Sequence, residues 1–148
     1  ELVIAGDGDM EETWKAHARA KGLAQRVHFL GNVPHAKIPL YIRAADVFVL
    51  NSLYEGLSHT LLEVQALGTP IVASNVCGNP EVVEQGVSGL LVDPRDPAAL
   101  SRAIARYLDD PQFARSMVEG GWKCRAQFDR TATFGEVEAA LRRASGHA

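Results

Sequence analysis

The densest run of residues able to do chemistry is Asn51-Ser52-Leu53-Tyr54-Glu55-Gly56-Leu57-Ser58-His59-Thr60-Leu61-Leu62-Glu63, a polar, glycine-containing stretch that turns helical near Ser58. A helix start presents backbone N–H groups that have no intrahelical acceptor, and with hydroxyls at Ser58 and Thr60 it suits a phosphate or carboxylate. Glu55 just before the helix and Glu63 one turn into it bracket that amide cluster. The same residues admit a purely structural reading. Thr60 and Glu63 have capping-box spacing, Glu55 is then a solvated loop charge, and His59 is a surface helix residue. A second loop, Asn75-Val76-Cys77-Gly78-Asn79-Pro80-Glu81, offers another capped helix start or simply a tight turn.

Something must hold these loops at one edge. Apolar runs of strand length occur at Leu2–Ala5, Val27–Leu30, Val47–Leu50, Ile71–Ser74 and Gly89–Val92. They do not alternate, the pattern of strands covered on both faces. Helical spacing fills the intervals. Met10, Trp14 and Ala18 make a stripe after Asp9 as N-cap and before Gly22 as left-handed C-cap. Leu100, Ala103, Ile104, Tyr107 and Leu108 make another, opened by Asp96-Pro97, and the cap-then-proline pattern recurs at Asp110-Pro111 and Asn79-Pro80. Strands alternating with helices predict a parallel α/β sheet, a Rossmann-like three-layer sandwich. From Pro97 to Ala144 the spacing predicts helices only, the later ones marked by Phe113 with Met117 and by Phe134, Val137 and Leu141, with Gly120-Gly121 loosening the one before last. No repeat or linker-like tract divides the 148 residues, so one domain is expected. In such sheets ligands bind beyond the strands' carboxyl ends, which is where the 51–63 and 75–81 loops fall.

Composition narrows the function. With 15 basic and 18 acidic residues the net charge is -3, which gives no electrostatic drive toward nucleic acid or anionic lipid. No run approaches the roughly 20 apolar residues of a membrane span, and the first residues lack a secretion signal's basic opening, so a cytoplasmic protein is expected. Cys77 and Cys124 lie far apart and the histidines, His17, His28, His35, His59 and His147, show no metal-binding spacing; no metal or cofactor is expected.

The run from Glu55 to Glu63, continued by Val64-Gln65-Ala66-Leu67-Gly68-Thr69-Pro70-Ile71-Val72-Ala73, resembles the E-x7-E signature of retaining, B-type glycosyltransferases of the sucrose-synthase-like group. Collinear blocks add to it: Gly6-Asp7-Gly8, Phe29 to Val33, Ala44 to Leu50, Gly78 to Val83 and Gly86 to Val92. The resemblance implies the carboxyl-terminal, nucleotide-sugar-binding domain of a two-domain enzyme. It implies that Glu63 binds the ribose hydroxyls and Glu55 faces the donor sugar. The backbone of Gly56, Leu57, Ser58, His59 and Thr60 would hold the sugar and diphosphate, and Val33 would meet the base through its main chain. An acceptor-only carboxylate suits vicinal hydroxyls, and helix-terminal amides suit a leaving diphosphate.

The family's phosphate-binding Arg and Lys would precede Glu1, and its acceptor side, with any peripheral membrane contact, belongs to an amino-terminal domain outside this chain. The chain alone is therefore expected to bind weakly and not to catalyse. The same analogy puts a strand from upstream of Glu1 between Leu2–Ala5 and Val47–Leu50, so those two strands are expected not to pair directly. His59 stands where many relatives have Asn. Two rival readings are a nucleotide-sugar epimerase of the related two-domain fold and a phospho-receiver signalling module. The latter fits poorly, because Leu50-Asn51 offers no phosphorylatable Asp and no Lys follows Ile71–Ser74.

Overall fold

The computed structural model describes residues 1–128, and they fall in two units, Glu1–Leu40 and a second from Tyr41 on. The helix expected around Phe134, Val137 and Leu141 lies outside the described residues.

In the first unit β1 (Leu2–Ile4) pairs in parallel with β2 (Val27–Phe29), Leu2 opposite Val27, through helix α1 (Glu11–Ala20). Gly22 takes the left-handed conformation expected of it, at φ +69°. The amino end of α1 differs from expectation. Its N-cap is Met10 with no side-chain cap, and Asp9 lies one residue too early. Only Ala18 of the α1 stripe is buried, whereas Met10, Trp14, Leu2 and Val3 are each half exposed. Two strands of three residues present too little surface to cover an apolar helix face and a sheet face at once.

The second unit holds β3 (Phe48–Leu50), β4 (Ile71–Ser74) and β5 (Leu90–Val92) in one parallel sheet of order β3-β4-β5. The register sets Phe48 opposite Ile71 and Val72 opposite Leu90. β4 is central and buried at all four positions. Because successive side chains point to opposite faces, both faces of the sheet are covered there, as the unalternating sequence implies.

Helix α2 (Ile38–Ala44) leads into β3; α3 (His59–Leu67), α4 (Asn79–Val82) and α5 (Pro97–Asp109) follow β3, β4 and β5 in turn, and α6 (Pro111–Arg125) follows α5 directly. The caps of α5 and α6 form as read: Asp96 Oδ1 accepts from Ala99 N at 2.8 Å, and Asp110 Oδ1 from Phe113 N at 2.9 Å. Val72, Leu90, Ala103, Tyr107 and Met117 make a core between β4, β5, α5 and α6. In it the Tyr107 hydroxyl donates to Ile71 O at 3.0 Å, and its ring stacks on Phe113 at 5.4 Å.

Gly120 and Gly121 do not loosen α6, which runs unbroken through both. A Cβ on Gly120 would come within 1.9 Å of Val87 O, and one on Gly121 within 3.3 Å of Gln65 Cγ. The pair exists so that α6 can approach the 84–89 turn and α3 closely. Gly68, at φ +77°, ends α3 beneath the Trp122 ring.

Candidate functional site at the carboxyl edge of the second sheet

The loops after β3, β4 and β5 meet at the carboxyl edge. They enclose an open cleft of about 350 Å³ lined by Leu53, Asn75, Val76, Asp93, Pro94 and Arg95. Asn51 Nδ2 reaches Pro94 O at 3.4 Å and Asn75 N donates to Val92 O at 2.7 Å, so the three loops are tied to one another.

The N-cap of α3 is Ser58, whose buried Oγ accepts from Leu61 N at 3.4 Å. The first i→i−4 bond is Leu62 N to Ser58 O. The amides of Ser58, His59 and Thr60 are therefore not taken up inside the helix. Thr60 and His59 are exposed at its first turn. This placement removes the capping-box reading of Glu63. With the cap at Ser58 the third helical position is Leu61, and Glu63 sits half-buried in the second turn.

Glu55 is half-buried and held at both ends. Its Oε1 accepts from Ser52 Oγ at 2.7 Å, and its carbonyl accepts from Gly78 N at 3.4 Å. Gly78 is a position of close approach, since a Cβ there would lie 2.3 Å from Gly56 O and 2.7 Å from Gly56 C. The loop carrying Glu55, Gly56 and Leu57 is thus seated on the backbone at the start of α4.

Asn79 is not the cap of α4 that its Asn-Pro spacing suggests. Gly78 is the N-cap and Asn79 the first helical residue. Fully buried, Asn79 turns back to the end of β4, where Nδ2 donates to Ser74 O at 3.0 Å and Ser74 Oγ at 3.2 Å. Its Oδ1 is buried with no partner among the described residues, a cost of about 1–3 kcal/mol. Ser74 Oγ also accepts from Ser52 N at 3.2 Å. Gln65, buried in α3, donates from Nε2 to Val82 O at 2.9 Å and fixes α3 to α4.

Residues 1–123 match the family model for glycosyl transferases group 1. The chain belongs to this family. Curated relatives of this group 1 chain include a glycogen synthase of Mycobacterium tuberculosis, 37% identical over 114 residues, covering 77% of this chain and 28% of the relative. A D-inositol 3-phosphate glycosyltransferase of Corynebacterium glutamicum is 32% identical over 133 residues, covering 90% of this chain and 32% of the relative. The chain thus spans about a third of the length of these relatives. Among solved structures, a sucrose-phosphate synthase from Thermosynechococcus elongatus superposes with TM-score 0.83 at 32% identity, over 99% of this chain and 38% of that one. The Anabaena protein HepE in complex with UDP gives 0.83 at 27%, over 95% and 40%. The α/β fold is that of the B-type, Rossmann-like glycosyltransferases. The family match disfavours the epimerase and phospho-receiver readings.

For this group 1 chain, the structure gathers Glu55, Gly56, Leu57, Ser58, His59, Thr60 and Glu63 on one loop and helix start of the second unit. Val33 lies in the first unit, half-buried or less in the loop between Gly31 and the 3-10 turn His35–Lys37. Ser52 and Ser74 were not singled out by sequence reading, and Asn79 only as a cap. Their signals were a hydroxyl three residues before Glu55 and polar residues at the end of an otherwise apolar strand. Among the described residues no helix is long and apolar enough to cross a membrane.

Proposed function

We propose that this chain is the donor-binding half of a retaining glycosyltransferase, which moves a sugar from a nucleotide-diphosphate donor to an acceptor held by an amino-terminal domain. The observation that carries this reading is the start of α3. Helix-terminal amides at Ser58–Thr60, not taken up inside the helix, follow a carboxylate whose loop is pinned to Gly78, and a second carboxylate, Glu63, lies in the next turn. In the reaction the bond between the sugar's anomeric carbon and the diphosphate oxygen breaks. A bond to the acceptor oxygen forms on the same face, and the acceptor's proton leaves with the diphosphate. Glu55 faces the donor sugar, and the main chain of Gly56 to Thr60 holds sugar and diphosphate. Glu63 binds the ribose hydroxyls, and no metal or cofactor is assigned. The bound UDP of HepE supports a nucleotide donor.

The test is made on the full-length protein that carries this chain. Calorimetric titration with uridine, guanosine and adenosine diphosphates identifies the base, and NMR of the product's anomeric proton reads retention. Glu63→Ala removes hydrogen bonds to a charged group worth about 1.5–3 kcal/mol, and it should weaken the nucleotide roughly 10- to 150-fold. Unchanged affinity in a folded variant, or binding of none of the three diphosphates, would overturn the reading.

A further inference from the structure

We propose that Ser52 is a positioning residue for Glu55, anchored from the sheet by Ser74 and Asn79. The inference rests on the reading of Glu55 as the carboxylate that faces the donor sugar. A glutamate side chain has several soft torsions, and a carboxylate that must meet one hydroxyl of a sugar cannot be left to sample them. Here the restraint is a hydroxyl donor. Ser52 Oγ lies 2.7 Å from Glu55 Oε1, in the range of a charge-assisted bond, and a carboxylate can only accept it.

Ser52 is itself held. Its N–H donates to Ser74 Oγ at 3.2 Å, and Ser74 is fully buried as the last residue of β4, in register with Val92. Behind Ser74 stands Asn79, also fully buried. The orientation of its amide follows from chemistry: Ser74 O accepts and cannot donate, so the group facing it at 3.0 Å must be Nδ2. The second Nδ2 hydrogen serves Ser74 Oγ, leaving Oδ1 buried without a partner among the described residues. An apolar residue would fill that space without an orphaned acceptor, so the amide is there for its two donors. The chain Asn79 to Ser74 to Ser52 to Glu55 runs from the core to the candidate carboxylate. The Gly78 amide holds Glu55's carbonyl from the same 74–79 segment, which turns through Cys77 at φ +45°. Side chain and main chain of Glu55 are thus referenced to one loop.

The test uses the full-length protein and release of nucleoside diphosphate from UDP-, GDP- or ADP-glucose, whichever it turns over fastest. Ser52→Ala should lower kcat about tenfold, the low end for a bond to a charged group. The donor KM should stay within about twofold, and Ser52→Thr, which keeps the hydroxyl, should restore most of the rate. In a Glu55→Gln background Ser52→Ala should have little further effect. Normal turnover in Ser52→Ala beside slow Glu55→Gln overturns the positioning role and leaves the transferase reading standing. Failure of Ser52→Thr to rescue, or additive losses with Glu55→Gln, also overturns it. Normal turnover in Glu55→Gln, or no release by the unsubstituted protein, overturns the reading of Glu55 and this inference with it.

Discussion

Gly78→Ala tests whether the candidate loop is built on the start of α4. Gly78 has φ −77° and ψ −7°, which alanine adopts without strain, so the substitution acts through its Cβ alone. That atom would lie 2.3 Å from Gly56 O, 2.7 Å from Gly56 C and 3.0 Å from Leu57 N. All three are backbone, and no rotamer change can relieve them. The Gly56–Leu57 peptide must retreat by roughly 1 Å to reach ordinary contact. Overpacking of this kind costs about 1–3 kcal/mol, which for a chain of this size lowers Tm by roughly 3–10 °C. The retreat also shifts the amides proposed to hold the donor, and a 1 Å misplacement reduces a catalysed rate by up to about 100-fold. Thermal melts followed by circular dichroism, nucleotide titration and turnover of the full-length protein read these effects together. Gly120→Ala is the control. Its Cβ would meet Val87 O at 1.9 Å, in α6 rather than in the loop, so it should lower Tm while leaving nucleotide affinity unchanged. A Gly78→Ala protein with unaltered melting and unaltered affinity would refute the claim that this contact seats the loop.

Gly121→Ala should behave differently from its neighbour, because the nearest atom is Gln65 Cγ at 3.3 Å, which can give, and a helical Gly→Ala change gains about 0.8–1 kcal/mol. Its Tm should equal or exceed that of the unsubstituted protein, and a fall as large as that of Gly120→Ala would contradict the packing account. Burial pushes the Tyr107 phenol above its ordinary value of 10.0. With the folded value raised, the stability contributed by the protonated phenol is fully present below about pH 10 and is lost as pH rises from the unfolded value toward the folded one. Tm should therefore hold steady up to about pH 9.5 and fall above about pH 10. Tyr107→Phe, at a cost of about 1 kcal/mol, should fall less steeply; an equally steep decline would remove Tyr107 as its source.

What the sequence determined by itself is what neighbouring residues decide among themselves. The five strands, the caps at Asp96 and Asp110 and the left-handed turn at Gly22 all appear where spacing put them: the caps and the turn depend on residues a few positions away, and the strands are marked by their own short, unalternating apolar runs. The run from Glu55 to Glu63 was legible for the same reason, as a loop entering a helix. Tertiary structure decided the rest. Asn79 carries the local signature of a cap, yet its amide goes to Ser74, because β4 ends at a buried carbonyl and hydroxyl that need donors. Thr60 and Glu63 have capping-box spacing, yet Ser58 takes the cap, two residues earlier than that box requires. Gly120 and Gly121 read as a weak point in a helix, and their reason lies in Val87 and Gln65, over 30 and 50 residues away in sequence. Ser52 shows nothing in its own neighbourhood except a carboxylate three residues on. Its role exists only once β3 and β4 lie side by side and bring Ser74 beneath it. Local propensity is additive along the chain and can be read there; close approach and the satisfaction of buried polar groups are settled between segments, after the fold has brought them together.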